Sequence, residues 1–147
     1  MKVLKFGSSS LGTIGTIDRL ENVLGIIQRA AKKDQVAIVV SAFQNVTNQL
    51  IKMGQQAQDN NPTWEENFHE LHDRHLEIIK KFIPPQKQTP VISHVKKKLN
   101  ELEDVLRGIS LIQEYSPSTV DFVMSFGERL SAFIIAQILT NRSRKAF

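Results

Sequence analysis

Lys2 to Phe6 is a short apolar run that ends in Gly7-Ser8-Ser9-Ser10. A run of that length before small residues predicts a strand feeding a loop. Ile17, Leu20, Leu24 and Ile27 then recur at helical spacing as far as about Lys33, with Thr16 placed to cap the helix and Asp18 in its first turn. Gln35 to Val40 is a second apolar run, rich in valine and isoleucine, and it ends at Ser41. Continuous apolar runs separated by a helix predict a βαβ unit with a buried parallel sheet. After it, Thr47 is placed to cap a helix running through Leu50 and Ile51.

The middle of the chain changes character. Trp64, Phe68, Leu71, His75, Ile78 and Phe82 mark one face of a helix, and Pro84-Pro85 breaks it. Val95, Leu99, Leu102, Leu106 and Ile109 mark a second helix, expected from about residue 90 to 113. A third begins near Ser116-Pro117, serine capping and proline suiting the first turn, and runs to about Thr140. Two strands are a poor core for this many amphipathic helices. Together with a chain that stops soon after the last helix, this predicts a piece of a larger domain.

The 147 residues suffice for one domain with a core, and 41% apolar with 23% charged residues is ordinary for a globular protein. The absence of cysteine excludes disulfides, thiolate metal sites and cysteine nucleophiles. The opening run is too short for a secretory signal, and no stretch reads as long and apolar enough to span a bilayer, so a cytoplasmic protein is expected. The net charge of +4 raises nucleic acid as a partner. The lysines, however, sit beside acids on helical segments, as in Lys96-Lys97-Lys98 followed by Glu101 and Glu103, which is the pattern of a solvated face. No stacking motif accompanies them, so neither nucleic acid nor membrane is expected as a partner.

Three segments carry candidate chemistry. In Lys5-Phe6-Gly7-Ser8-Ser9-Ser10, the glycine and serines expose N–H and hydroxyl groups suited to phosphate oxygens, and Lys5 adds a point charge at the strand end. The segment is neither a Walker loop nor a dinucleotide fingerprint, and a plain serine-rich loop remains the alternative. Ser41 to Asn48 places small polar groups at the carboxyl end of the second strand, the edge where open α/β sheets bind ligands. There Ser41 and Thr47 can hydrogen-bond a small polar substrate. The third segment, Ser125-Phe126-Gly127-Glu128-Arg129-Leu130-Ser131, lies on a helix that is apolar nearly all round. Such a helix is expected to be buried. Asp121, Ser125 and Glu128 share one stripe on it. A buried Glu128 then needs a cation, either Arg129 or a ligand. Gly127 costs the helix ~1 kcal/mol relative to alanine and permits close approach of a ligand or a backbone. His69, His72 and His75 spread around their helix, and His69-Glu70-Leu71-His72 is one residue short of the zinc-protease spacing, so no metal site is expected.

Taken together and in order, the three segments resemble the aspartate kinases. Lys5-Phe6-Gly7 with its serines is similar to that family's opening lysine-phenylalanine-glycine-glycine motif. Val40-Ser41-Ala42 with Val46-Thr47-Asn48 is similar to its second motif, and Ser125 to Ser131 to its third. Leu106-Arg107-Gly108-Ile109-Ser110-Leu111 resembles the kinase part of the bifunctional aspartokinase–homoserine dehydrogenases. The resemblance implies an α/β fold: a three-layer αβα sandwich of the amino-acid-kinase type, here truncated, with a mainly parallel sheet and a large helical portion. It implies phosphoryl transfer from ATP with Mg2+ to the side-chain carboxylate of L-aspartate, a first step toward lysine, threonine and methionine, in a homo-oligomer.

By the same resemblance Lys5 is catalytic, stabilising charge on the transferring phosphoryl group. Lys5, Gly7, Ser8 and Ser9 bind the phosphates. Ser41 and Thr47 contact aspartate, and Glu128 pairs with its ammonium. The family has a second glycine where this chain has Ser8, which would impair the loop if that position required φ > 0. Residues 1–147 are expected to be the N-terminal part of the kinase domain, without the nucleotide-binding half or regulatory domains, and inactive by themselves. Two alternatives stand beside this: a non-catalytic piece that acts in assembly, and a related amino-acid kinase with another acceptor.

Overall fold

A computed structural model of the chain describes residues 1–12 and 17–143, without the side chains of Ile17 and Asp18. The expected cap at Thr16 and the tail Arg144–Phe147 lie outside the described residues. Strand β1 (Lys2–Phe6) leads into a 3-10 turn at Ser8–Leu11, helix α1 (Ile17–Ala31) and strand β2 (Val36–Val40). Four helices follow: α2 (Val46–Gln58), α3 (Thr63–Phe82), α4 (Pro85–Ile112) and α5 (Pro117–Ser143).

The two strands pair in parallel, with Lys2 opposite Val36 and Phe6 opposite Val40. The βαβ unit therefore forms as expected with α1 as the crossover, but the sheet is not buried as expected: no residue of either strand is fully buried. Leu4, Phe6, Ile38 and Val40 pack against the core, while the alternate face carries Val3, 64% exposed, Val39, 49% exposed, and exposed Lys5 between them. Side chains alternate across a strand, so a two-stranded sheet covered on one side leaves the other side open. The layers seen are this sheet and its helices; a third layer over the open face is not among the described residues.

The helices are placed by ordinary local chemistry. Helix α3 carries Glu65 and Glu66 in its first turn and Lys80 and Lys81 in its last, complementing the helix dipole at both ends. Its face Trp64, Phe68, Leu71, His75, Ile78 is buried as the spacing predicts. Pro84 is extended and Pro85 occupies the first turn of α4, so α4 starts five residues before the expected position. Pro90 sits inside the helix and is exposed; its ring costs one backbone bond near the N-terminus, where few are yet formed. Gln113, in the left-handed region at φ 53, ends α4, its N–H donating to the Ile109 carbonyl at 2.8 Å.

Helix α2 lies at the centre and touches α3, α4 and α5. A side chain at Gly54 would put its Cβ 2.1 Å from Cζ of Tyr115, so the ring of Tyr115 rests directly on the α2 backbone. Helix α5 corrects one expectation. With 27 residues and a mean hydropathy of 1.4 over its most apolar window, it is long and apolar enough by composition to cross a membrane. Its Val123, Phe126, Leu130, Ile134 and Ile138 are instead buried in the core against α2 and α4, so one face of the helix is a core face of the fold.

Candidate active site

The site is built on the segment between β2 and α2. The Ser41 N–H donates to the Phe6 carbonyl at 3.0 Å, carrying the parallel ladder one step past the strand. Ala42 and Phe43 then turn inward and are buried. Asn45 takes the left-handed conformation at φ 68, which asparagine tolerates better than most residues, and α2 starts at Val46. Thr47 therefore lies in the first turn of the helix and not at its cap, because the turn at Asn45 starts the helix ahead of it. The Val46 N–H donates to the Phe43 carbonyl, whereas the next amides of a first turn have no partner within the helix. Asn45, Thr47 and Asn48 share a cavity of about 240 Å³ with Ser8, Ser9 and Gln44. Serine hydroxyls thus face the positive end of a 13-residue helix, a setting suited to an anion.

On the far side of Thr47 lies a second cavity, of about 180 Å³, lined by Thr47, Asp121, Met124, Ser125 and Glu128. Thr47 and Glu128 meet because α5 packs closely on α2. The Cβ of any side chain at Gly127 would fall 2.9 Å from Cβ of Ala42 and 3.2 Å from Val46 Cγ1 and Leu50 Cδ1. Glu128, the next residue, is thereby carried to the rim. The buried Ser131 hydroxyl donates to the Ser41 carbonyl at 2.6 Å, joining the same helix to the end of β2.

Several expectations change here. Glu128 is exposed, as is Asp121, so the polar stripe of α5 faces outward and no charge is trapped in the core. Arg129 is not its partner: the guanidinium lies 4.0 Å from Glu101 and over the Phe126 ring at 4.7 Å. Glu128 has no cationic partner among the described residues, which leaves its carboxylate available at the cavity rim. Gly7 is extended, with φ −78 and ψ 169, and Ser8 opens the 3-10 turn. The described non-glycine residues with positive φ are Asn45, Asn60 and Gln113, so serine at position 8 meets no backbone obstacle. The Gly7 carbonyl accepts from Ser10 N–H at 3.1 Å, and Arg19 of α1 donates to the Ser9 carbonyl at 3.2 Å, which ties the turn down.

The structure thus brings Ser8, Ser9, Thr47 and Glu128 around two adjoining cavities. It places Lys5 on the open sheet face and Ser41, half-buried, at the end of β2; neither residue lines these two cavities. Gln44, Asn45, Asn48, Asp121, Met124, Ser125 and Ser131 complete the site without having been assigned to it. Of these, Asp121 and Ser125 share the stripe with Glu128, Gln44, Asn45 and Asn48 lie in the segment after β2, and Ser131 closes the third motif; Met124 carried no signal. Asn45 and Asn48 also border a wider groove of about 630 Å³ between α2 and α3, where Lys52 and Arg74 stand among Glu70, Asp73 and Glu77. Burial lowers the pKa of Arg74 from its ordinary value. Among the described residues no three His, Asp or Glu side chains converge as a metal-holding group.

The site thus combines a small parallel sheet edge, a helix N-terminus with two serines beside it and a neighbouring carboxylate, and the amino acid kinase family model matches residues 1–147. The chain belongs to the amino acid kinase family. Within it the similarity runs to aspartokinases. The chain is 32% identical over 146 residues to a bifunctional aspartokinase/homoserine dehydrogenase of Buchnera aphidicola, covering 97% of this chain and 17% of that one. It is 32% identical over 148 residues to the chloroplastic aspartokinase 1 of Arabidopsis thaliana, covering 98% and 24%. E. coli aspartokinase III, in its complex with aspartate and ADP, superposes with a TM-score of 0.80 at 20% identity, over 97% of this chain and 29% of that one. The chain therefore spans about a fifth of the length of these two sequence relatives.

Proposed function

We propose that this chain forms the amino-acid-binding part of an aspartokinase, which transfers the terminal phosphoryl group of ATP to the side-chain carboxylate of L-aspartate. The observation that carries this reading is that Thr47 is the shared wall of two cavities, one lined by the serines and the other by Glu128. A phosphoryl donor and an amino-acid acceptor have to lie side by side, and one threonine between them sets that spacing. The relatives point the same way: they are aspartokinases, and the E. coli enzyme is seen with aspartate and ADP.

The roles follow from charge. The acceptor carboxylate is ionised at neutral pH, so no general base is needed and the work is positioning and neutralisation. Glu128, without a described cation and at the rim, takes the substrate ammonium. Thr47 and Ser41 hold the polar groups of aspartate. Gly7, Ser8, Ser9 and the first amides of α2 receive phosphate oxygens, and Lys5 approaches the transferring group once nucleotide is bound. ATP brings Mg2+, but the described carboxylates do not form a cage for it, and none of these roles runs through the metal. The same reading makes this segment the N-terminal part of a cytoplasmic, homo-oligomeric enzyme at the start of lysine, threonine and methionine formation, inactive when isolated.

Titration calorimetry with aspartate tests the reading. The chain is expected to bind L-aspartate, and Glu128→Gln to weaken it about 10- to 100-fold, the worth of a hydrogen bond to a charged group. ATP affinity should stay nearly unchanged. Loss of ATP binding with aspartate binding intact would place Glu128 on the other ligand.

A further inference from the structure

Among the described residues, Ser131 and His75 are the polar side chains buried in the core. A buried hydroxyl without a partner is costly, and Ser131 has two acceptors within reach. One is the carbonyl of Glu128 in its own helix, at 3.1 Å; the other is the carbonyl of Ser41, at 2.6 Å and 90 residues away. A hydroxyl has a single proton, so the shorter contact is where it goes. Ser41 is already held from the other side, its N–H on the Phe6 carbonyl just ahead of Gly7. One hydroxyl therefore joins the end of β2, which leads into α2 and Thr47, to the helix turn that carries Glu128.

Gly127 lies one turn before Ser131 on the same edge of α5. Its missing side chain lets the helix rest on Ala42, Val46 and Leu50. Val46 immediately precedes Thr47, and Gly127 immediately precedes Glu128. This close contact of α5 with Val46 thus falls one residue away from each of Thr47 and Glu128, which line the 180 Å³ cavity. Any separation at that contact opens the cavity directly.

We infer that Ser131 is a positioning residue for the amino-acid cleft: its hydroxyl, together with the close seat at Gly127, sets the spacing between Thr47 and Glu128. This rests on the function proposed above for that cleft. Ser131 touches no ligand; it acts through Ser41 and through the register of α5. Catalytic misplacement on the order of 1 Å can cost about a hundredfold, so a contact of this kind has leverage far beyond its own strength.

The experiment uses the full chain with two readouts, amide hydrogen exchange and calorimetric aspartate affinity. Ser131→Ala is expected to speed exchange about tenfold or more at residues 41–47, with Leu99 and Leu102 of α4 unaffected, and to weaken aspartate about tenfold. Gly127→Ala should do the same, and adding Ala42→Gly, which removes the nearest obstructing atom, should recover part of both losses. Should Ser131→Ala not fold, the Gly127→Ala and Gly127→Ala/Ala42→Gly pair carries the same readouts. If Ser131→Ala or Gly127→Ala leaves aspartate affinity unchanged, or exchange rises evenly along the whole chain, the inference is wrong and the proposed function stands. If residues 41–47 loosen as expected but the unsubstituted chain binds no aspartate, the proposed function falls and the clamp remains.

Discussion

Acid should destabilise this protein through His75 in a way that a single substitution removes. The side chain is fully buried on α3, its ring edge-on to Phe43 at 5.6 Å between centroids. Its Nδ1 lies 2.7 Å from the Leu71 carbonyl, which accepts only, so the proton of the neutral ring sits on Nδ1. Nε2 is buried without a partner. Protonating it would create a cation and an unsatisfied N–H in the core. Burial accordingly pushes the pKa down from 6.5 to about 4, with the Leu71 carbonyl opposing and Arg74 and His72 adding to the depression. The unfolded chain takes up this proton near pH 6.5 and the folded chain only near 4. Folding stability from this group is therefore full above about pH 6.5 and is lost as the pH falls toward 4. The loss reaches roughly 2.5 kcal/mol by about pH 4.5, on the order of 10 °C in Tm for a chain of this size.

Carboxylates contribute in the same direction: Arg142 holds the pKa of Glu21 below its ordinary value by hydrogen bonding, and that contribution also fades in acid. The useful quantity is thus the difference between the protein and a His75→Leu variant, in which Glu21 and the rest cancel. Chemical denaturation of both across about pH 4.5 to 7.5 measures it. The variant has its own constant cost from the lost Leu71 contact and altered packing. The gap between the two should shrink by about 2.5 kcal/mol on acidification. Two curves that fall in parallel would refute the assignment of a neutral, proton-resistant His75.

Gly54→Ala should destabilise by about 1 kcal/mol, because overpacking against Tyr115 of roughly 1–3 kcal/mol outweighs a helix gain of ~1 kcal/mol. In a Tyr115→Ala background the same change should become neutral or stabilising, which thermal melts of the four proteins would show. Ser8→Gly should bring no gain in aspartate phosphorylation by the enzyme containing this segment, since Ser8 has no strained φ to relieve; a several-fold rise in kcat would mean that bound phosphate demands a backbone shape absent here.

How much of this was legible in the residues depends on how far each role reaches along the chain. The strands, the α3 and α4 faces and the proline break are set by neighbours within a turn or two, and pattern alone places them. The beginning of α2 is also local, yet it departs from side-chain preference: threonine favours Thr47 as a cap, while the backbone turns at Asn45 instead. The expected burial of Glu128 did not hold, for a different reason. On α5 nearly every face is apolar, so periodicity cannot say which side is covered; that is decided by where α2 and α4 lie, and they cover Val123, Phe126 and Leu130, leaving Asp121 and Glu128 outside. Gly127 could be recognised as a cost to its helix, but not as the seat of Ala42 and Val46, which stand some 80 residues earlier in the chain. Ser131 closes the third motif, but the motif alone gives it no role. A serine in an apolar helix commonly returns its hydroxyl to its own backbone, and only the fold reveals that this one reaches the carbonyl of Ser41. The residues proposed to bind are thus written in short motifs, whereas the spacing between them belongs to the α2–α5 contact, so on the inference drawn above a chain that keeps all three motifs loses the site if that contact opens.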